Sequence, residues 1–208
     1  DQTAVRLISA TDTAGGELKF GIHFRLDPGW KVYWRSPGDA GYPPRIDWSE
    51  SENMGTVDMS WPTPKRFSVL GFDTLGYIDE VVFPLQATPL RAGQPVKIRG
   101  SLSYLACKDI CIPYDAELAL DLPAGPAKPS VFAHLINRYQ VRVPGDGKAH
   151  GLVIERVESA GRMLRVTARA LTPFVQPDLF IEGPKDLYVS RPRVSLAGKR
   201  AVLEVPVS

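Results

Sequence analysis

Cys107 and Cys111 are the only cysteines of the 208-residue sequence, and three residues separate them. Two cysteines this close together indicate a pair that acts as one unit. Such a pair can carry out thiol–disulfide exchange, bind a soft metal ion or form a structural disulfide. On one continuous strand the two Cα atoms would lie roughly 13 Å apart, beyond the ~7 Å reach of a disulfide. The chain must therefore turn at residues 108–110 for the sulfur atoms to meet.

Alternating sequences on both sides of the pair predict the two strands of a hairpin. Apolar and polar residues alternate along residues 98–106, up to Cys107, and again along residues 116–122. The pair then lies at the tip of the hairpin, where a sulfur atom is accessible to a partner. Lys108 favours the reactive thiolate and Asp109 opposes it.

Two other uses of the cysteine pair stay open at this stage. A ring this short removes only about 2 kcal/mol of unfolded-state entropy, so a purely structural disulfide is the weaker interpretation. A Cu(I) site would need help from methionine or histidine, and the three residues of each type lie away from the pair in sequence. The sequence therefore favours reversible redox chemistry that needs no cofactor, and we assign no metal site.

The spacing of the prolines and glycines predicts an all-β protein with two domains. Nineteen prolines and 18 glycines interrupt short alternating runs, as in β-sandwich proteins. Residues 123–129 (PAGPAKP) are the predicted linker, and a short helix is predicted to begin at Ser130. Residues 62–76 lack a clear period and are predicted to form an irregular loop. Five strands are predicted in the second domain, at 152–158, 163–170, 178–182, 186–190 and 200–207.

Charge and hydropathy argue against several classes of partner. The 25 basic and 23 acidic residues give a net charge of +2, without the basic excess of a nucleic-acid-binding protein. No apolar run approaches the roughly 20 residues that span a bilayer, so membrane contact is expected only through a part of the protein outside this sequence. A cysteine pair fits an oxidising compartment.

Three segments resemble the N-terminal periplasmic domain of the DsbD family of disulfide reductases, and in particular its ScsB branch (suppressor of copper sensitivity protein B). They are residues 104–113 (YLACKDICIP), 29–38 (GWKVYWRSPG) and 76–85 (GYIDEVVFPL). The resemblance covers residues from about 15 to 123, and beyond that only length and β pattern match. It implies an immunoglobulin-like fold. The expected architecture is therefore two immunoglobulin-like β-sandwich domains in tandem, a redox domain over residues 1–124 and a second domain over residues 130–208.

The resemblance also implies an activity, that of a protein-disulfide reductase component. The disulfide would accept electrons from a membrane-embedded or thioredoxin-like domain of the same family. It would pass them to thioredoxin-fold periplasmic proteins similar to DsbC or ScsC. Cys111 would form the mixed disulfides and Cys107 would resolve them. The expected location is the periplasm, as part of an inner-membrane protein.

A cap loop that shields the cysteines is the last feature implied by the resemblance. It maps to roughly residues 67–76, with Phe72, Leu75 and Tyr77 as the shielding side chains, although ordinary packing also explains these three residues. The spacing of the cysteines is shorter here than in the DsbD branch. Two alternatives from other classes are a copper(I)-binding module of a copper-tolerance system and a passive assembly domain with a structural disulfide.

Overall fold

The computed structural model describes residues 2–69, 71–183 and 189–207. The chain divides into two compact units, Asp1–Val143 and Pro144–Ser208. Unit 1 contains helix α1 (Ala133–Gln140) and the strands β1 (Thr3–Ser9), β2 (Leu18–Leu26), β3 (Lys31–Gly38), β4 (Arg45–Asp47), β5 (Asp58–Met59), β6 (Lys65–Val69), β7 (Phe72–Ile78), β8 (Glu80–Ala87), β9 (Val96–Cys107) and β10 (Cys111–Leu122).

Unit 1 is built from two antiparallel sheets. The first sheet has the order β1-β2-β8-β5, and the second has the order β10-β9-β3-β7-β6, with β4 also paired to β9. Every pairing in both sheets is antiparallel. The predicted all-β class is therefore confirmed, and two facing antiparallel sheets are the layout of an immunoglobulin-like sandwich.

Aromatic side chains fill the space between the two sheets. Alternation along β2 directs every second residue toward the second sheet, as the sequence predicts. Phe24 meets Tyr104 of β9 edge to face with 5.0 Å between ring centroids, and Phe83 meets Tyr77 of β7 at 5.1 Å. Trp61 packs on Phe83 at 5.0 Å. These contacts join β2 and β8 to the sheet that carries the cysteine hairpin.

The region predicted as an irregular loop, residues 62–76, contains a hairpin of β6 and β7 instead. Gly71 provides the left-handed turn between the two strands, with a φ of 86°. Prolines obscure this hairpin in the sequence, because Pro62 and Pro64 stand directly before β6 and suggest a break. The period of two becomes visible only from Lys65 onward.

Helix α1 (Ala133–Gln140) belongs to unit 1. The turn that leads into the helix is held by Ser130, whose hydroxyl accepts a hydrogen bond from the N–H of Phe132 at 3.0 Å. Ile136 and Tyr139 are its buried residues, and the Tyr139 hydroxyl donates to the Glu80 carbonyl at 2.9 Å. The sequence placed this helix with the second domain, whereas its packing on β8 places it with the first.

Unit 2 contains a single four-stranded antiparallel sheet within its described residues. A short 3₁₀ helix (Lys148–His150) comes first, and the sheet order is β11-β12-β14-β13. The predicted strand at 178–182 is wrong, because these residues have no strand in the structure and prolines stand at 173 and 177. The predicted strand at 186–190 lies largely outside the described residues. The strands are β11 (Val153–Ala160), β12 (Met163–Arg169), β13 (Arg193–Ala197) and β14 (Arg200–Pro206).

Helix α1 is eight residues long, and no helix in the described part of the chain has the length and apolar character needed to cross a membrane.

Candidate functional site

The cysteines form a disulfide at the tip of the longest hairpin in unit 1. β9 and β10 each have 12 residues, and their register places Cys107 opposite Cys111. The two Cα atoms are 4.1 Å apart. The N–H of Lys108 donates to the Ile110 carbonyl at 3.0 Å, which closes the turn. The predicted hairpin and its three-residue tip are confirmed.

The two halves of the disulfide differ in exposure. Cys107 ends β9, which lies between β3 and β10, and its exposed fraction is 0%. Cys111 begins β10 at the edge of the sheet and is exposed. A thiolate or disulfide approaching from solvent therefore meets Cys111, and Cys107 lies behind it.

Cys107 belongs to a small cluster on the outer face of the second sheet, which we call the outer cluster. Tyr33 and Val69 are buried with it, and Phe67 and Leu105 pack against them. Strand register explains the grouping. Lys31 of β3 lies opposite Cys107, and Tyr33, two residues further on, returns to the same face. Intervening residues such as Val32 point into the sandwich.

Tyr33 is the aromatic residue that reaches the disulfide. Its Oη lies 3.9 Å from the Sγ of Cys111, and its ring centroid is 6.3 Å from that of Phe67. On another side the backbone of Gly41 rests against the ring, since a Cβ atom at this position would lie 2.4 Å from it. Burial raises the pKa of Tyr33 to about 12. The phenol therefore keeps its proton at neutral pH and can donate a hydrogen bond to a thiolate at Cys111.

The residues predicted to cap the disulfide occupy two different faces of β7. Phe72 begins the strand and is 52% exposed. Leu75 and Tyr77 are buried on the inner face, where the Tyr77 hydroxyl donates to the Pro62 carbonyl at 2.7 Å. The structure does not bring Leu75 and Tyr77 to the disulfide. Phe67 and Val69, from the preceding strand, are the side chains of this hairpin that pack in the outer cluster.

Sequence reasoning missed Tyr33, although a signal was present. Tyr33 stands between Lys31 and Arg35 on the polar side of a strand whose apolar side carries Val32 and Trp34. A large aromatic residue on the polar side of an alternating strand marks a second buried cluster outside the main core.

The carboxylates of Asp39, Asp79 and Glu80 lie in three different surroundings in unit 1. Burial and the nearby carboxylate of Asp73 both raise the pKa of Asp39, in the loop after β3. Asp79 forms the left-handed turn between β7 and β8, with a φ of 65°. Glu80 lies in the first sheet, where its Oε1 is 2.9 Å from the Nε2 of His23.

Glu80 has a lowered pKa because its ionised form is held on several sides. Burial alone would raise the pKa of Glu80. A hydrogen bond from His23, the charge of Arg138 and a hydrogen bond from Tyr139 outweigh burial and lower it. His23 accepts a hydrogen bond from Arg6 at Nδ1 over 3.3 Å, so its Nε2 carries the proton that is donated to Glu80.

Within the described residues, no group of three or more histidine, cysteine, aspartate and glutamate side chains is arranged to hold a metal ion. The reactive groups on this face are the two sulfur atoms, and the Tyr33 hydroxyl lies beside that of Cys111.

The sequence model of the family described as "Thiol:disulfide interchange protein DsbD, N-terminal" matches residues 3–123, which include both sheets of unit 1 and the cysteine hairpin. The chain belongs to the DsbD N-terminal family. A second family model, for a domain of unknown function, matches residues 142–208. No curated protein matches the chain.

Two crystal structures extend the comparison of this DsbD-family chain with known proteins. The N-terminal periplasmic domain of ScsB from Proteus mirabilis is 28% identical with a TM-score of 0.80, over 100% of this chain and 81% of that chain. The N-terminal domain of DsbD from Neisseria meningitidis in the reduced form is 22% identical with a TM-score of 0.32, over 61% of this chain and 90% of that chain. The resemblance identified in the sequence, including its ScsB branch, is thus confirmed.

Proposed function

We propose that this chain is a periplasmic thiol–disulfide exchange module, a protein-disulfide reductase component. It accepts reducing equivalents from a membrane-embedded or thioredoxin-like domain and passes them to thioredoxin-fold oxidoreductases of the DsbC or ScsC type. The observation that carries this proposal is the asymmetry of the disulfide. Cys111 is exposed at the sheet edge, and Cys107 is fully buried directly behind it.

That asymmetry supports separate roles for the two sulfur atoms. The Cys111 thiolate attacks a disulfide sulfur of the partner, a mixed disulfide forms, and one partner thiolate leaves. Cys107 then loses its proton to solvent and attacks the Sγ of Cys111. This second step restores the Cys107–Cys111 disulfide and releases the second partner thiol. Two electrons pass to the partner, and the reduced module is regenerated by its own donor.

The outer cluster supports a controlled form of this reaction. Phe67 and Val69 pack in the cluster that contains Cys107, and the Tyr33 hydroxyl lies beside the sulfur atom that attacks. In this proposal the β6–β7 hairpin is the cap. Phe72 stands at its exposed end, while Leu75 and Tyr77 anchor it to the core. The cover limits side reactions of Cys107 and leaves Cys111 open to a partner.

Trapping of the mixed disulfide tests the roles of the two cysteines. Cys107→Ser leaves an exposed thiol at Cys111 with no resolving partner, so it accumulates a covalent adduct with an oxidised ScsC-like or DsbC-like protein. Cys111→Ser leaves only the buried thiol and forms little adduct. Non-reducing electrophoresis and intact mass measure both reactions. Adduct formation by Cys111→Ser alone would reverse the assignment.

The reduction potential tests the function itself. A shuttle needs a disulfide that its partners can reduce and reoxidise, whereas structural disulfides lie below about −300 mV. We expect a potential above this value from equilibration with glutathione or dithiothreitol buffers. A lower value would identify the disulfide as structural.

The division into domains is part of the proposal. The sequence places a linker at residues 123–129, whereas contacts divide the chain after Val143. Limited proteolysis distinguishes these two boundaries, because cleavage at residues 123–129 would release helix α1 with the second unit. Cleavage just after Val143 would leave the helix with the redox unit.

A further inference from the structure

Two lysine side chains stand beside the disulfide. Lys31 of β3 lies opposite Cys107 in the antiparallel register. Residues in such positions have Cβ atoms about 4.5–5.5 Å apart and share a face of the sheet. Lys108 follows Cys107 directly and forms the turn to Cys111. Each lysine thus adjoins Cys107 from a different element, Lys31 from β3 and Lys108 from the turn.

Both lysine side chains lie against Gly29, in the turn before β3. The Nζ of Lys31 donates to the Gly29 carbonyl at 2.9 Å. The stem of Lys108 lies over the same glycine, since a Cβ atom there would be 3.1 Å from its Cε and 3.5 Å from its Nζ. Gly29 has a φ of 86°, and the missing side chain leaves room for Lys108. We call Lys31 and Lys108 the lysine pair.

The lysine pair lacks a counter-charge of its own. In the described parts of the chain neither lysine forms an ion pair. By contrast, Lys19 pairs with Glu17 at 3.5 Å and Lys97 pairs with Glu52 at 3.1 Å. The acidic neighbours of the lysine pair in sequence, Asp27 and Asp109, are exposed to solvent. Two like charges held at one glycine repel each other, and an anion placed between them relieves that repulsion.

Resting on the proposed exchange function, we infer that the lysine pair selects partners whose reactive disulfide carries carboxylates beside the sulfur atoms. An acidic side chain next to the partner's cysteine binds the lysine pair while the disulfide reaches Cys111. Charge complementarity at the edge of an interface mainly raises the rate of association and suppresses wrong partners. The lysine pair is therefore a determinant of substrate class.

Three small disulfides of different charge test this inference with the full chain. Reduced protein is mixed with anionic dithiodiglycolate, neutral hydroxyethyl disulfide or cationic cystamine, and loss of protein thiols is followed. In each reaction Cys111 displaces one thiolate, Cys107 displaces the other, the protein thiols are oxidised and the probe yields two thiols. Rates are divided by those of mercaptoethanol with the same probe, which removes the intrinsic reactivity of each disulfide.

The ratio of the anionic to the neutral rate is the decisive quantity. It exceeds one in the wild type, and Lys31→Gln plus Lys108→Gln lowers it by about five-fold for each lysine removed. The ratio of the cationic to the neutral rate rises in the same variant. The neutral probe is the internal reference, because a change in the thiolate fraction of Cys111 alters all three rates alike. Raising the salt concentration lowers the wild-type ratio.

The matched control is Lys19→Gln plus Lys97→Gln, which removes the same net charge at positions away from the disulfide. An unchanged ratio in the control and a lowered ratio in the variant of the lysine pair support the inference. Equal ratios in the wild type and the variant of the lysine pair, or an equal fall in the control, overturn it while the exchange function stands. Failure of the wild type to react with any of the three probes overturns the proposed function instead.

Discussion

The two faces of the second sheet of unit 1 perform different tasks with alternate residues of the same strands. On the inner face, Tyr77 and Tyr104 join the aromatic core between the sheets. On the outer face, Lys31 and Tyr33 lie on the same side of the sheet as Cys107. Because neighbouring residues of a strand point in opposite directions, the stabilising contacts and the reactive ones are separated by one residue in sequence. Changes on the inner face should therefore alter stability, and changes on the outer face should alter reactivity.

Phe83→Ala should give the largest effect, and the effect should be on stability. Phe83 belongs to β8 of the first sheet and packs against the inner face of the second sheet through Tyr77. It is fully buried and also contacts Phe24 and Trp61. Its truncation leaves a cavity, so we expect the free energy of unfolding to fall by about 3–5 kcal/mol. Urea denaturation measures the loss. The reduction rate of the disulfide in the folded fraction should stay within about two-fold of the wild type, and a larger change would show that the two faces are coupled.

Phe67→Ala should alter reactivity more than stability. Phe67 packs against the outer cluster, which contains Cys107 and Tyr33, and is itself only partly buried. Its loss opens the outer cluster, so we expect reduction of the disulfide by dithiothreitol to become about ten-fold faster, an effect of about 1.4 kcal/mol on the barrier. Stopped-flow reduction of the oxidised protein measures this rate.

Phe72→Ala is the matched control for Phe67→Ala. It removes the same side chain from the exposed end of the same hairpin, and we expect a change below about two-fold. If Phe72→Ala gave the larger acceleration, the cap predicted from the sequence would be correct and the outer cluster would not be the cover.

Tyr33→Phe should reduce the reactivity of Cys111 in the reduced protein. The variant keeps the ring and removes a hydroxyl that favours the thiolate, a hydrogen bond whose net value is about 1 kcal/mol, or about five-fold in rate at neutral pH. The midpoint of the pH profile for alkylation by iodoacetamide should move upward. Tyr42→Phe, which removes the hydroxyl 3.4 Å from the Tyr104 carbonyl, should leave that midpoint unchanged. Equal profiles for all three proteins would contradict this role of Tyr33.

Glu80→Gln should give the smallest effect, confined to stability and dependent on pH. The pKa of Glu80 is lowered from 4.5 in the folded state, so its ionised form stabilises the fold above the unfolded value. This contribution is lost as pH falls through the lower folded value. The wild type should therefore be more stable than Glu80→Gln at pH 7, and the difference should shrink below 4.5. Urea unfolding at several pH values measures this difference. A change in disulfide reduction rate would be unexpected, since Glu80 lies in the first sheet.

The sequence predicted those parts of unit 1 in which local alternation decides the structure. β2 and the β9–β10 hairpin follow from residues close together in the chain. The outer cluster does not, because it depends on the pairing of β3 with β9 and β7, strands that are far apart in sequence. The pattern showed that Tyr33 faces away from Val32. Only the pairing shows that this direction leads to Phe67 and Cys111.

The β9–β10 ladder has a consequence for the speed of the second chemical step. The ladder pairs 12 residues of each strand, and its register holds the backbones of Cys107 and Cys111 opposite each other at one end. This support does not depend on the bond between the sulfur atoms. A resolving thiol kept in place by its own strand attacks a mixed disulfide at a high effective molarity. Little chain entropy is lost when Cys107 attacks, because the ladder already restricts the backbone between the two cysteines. In the proposed mechanism the hairpin is thus a template for release of the partner, because the ladder holds the resolving thiol beside the mixed disulfide.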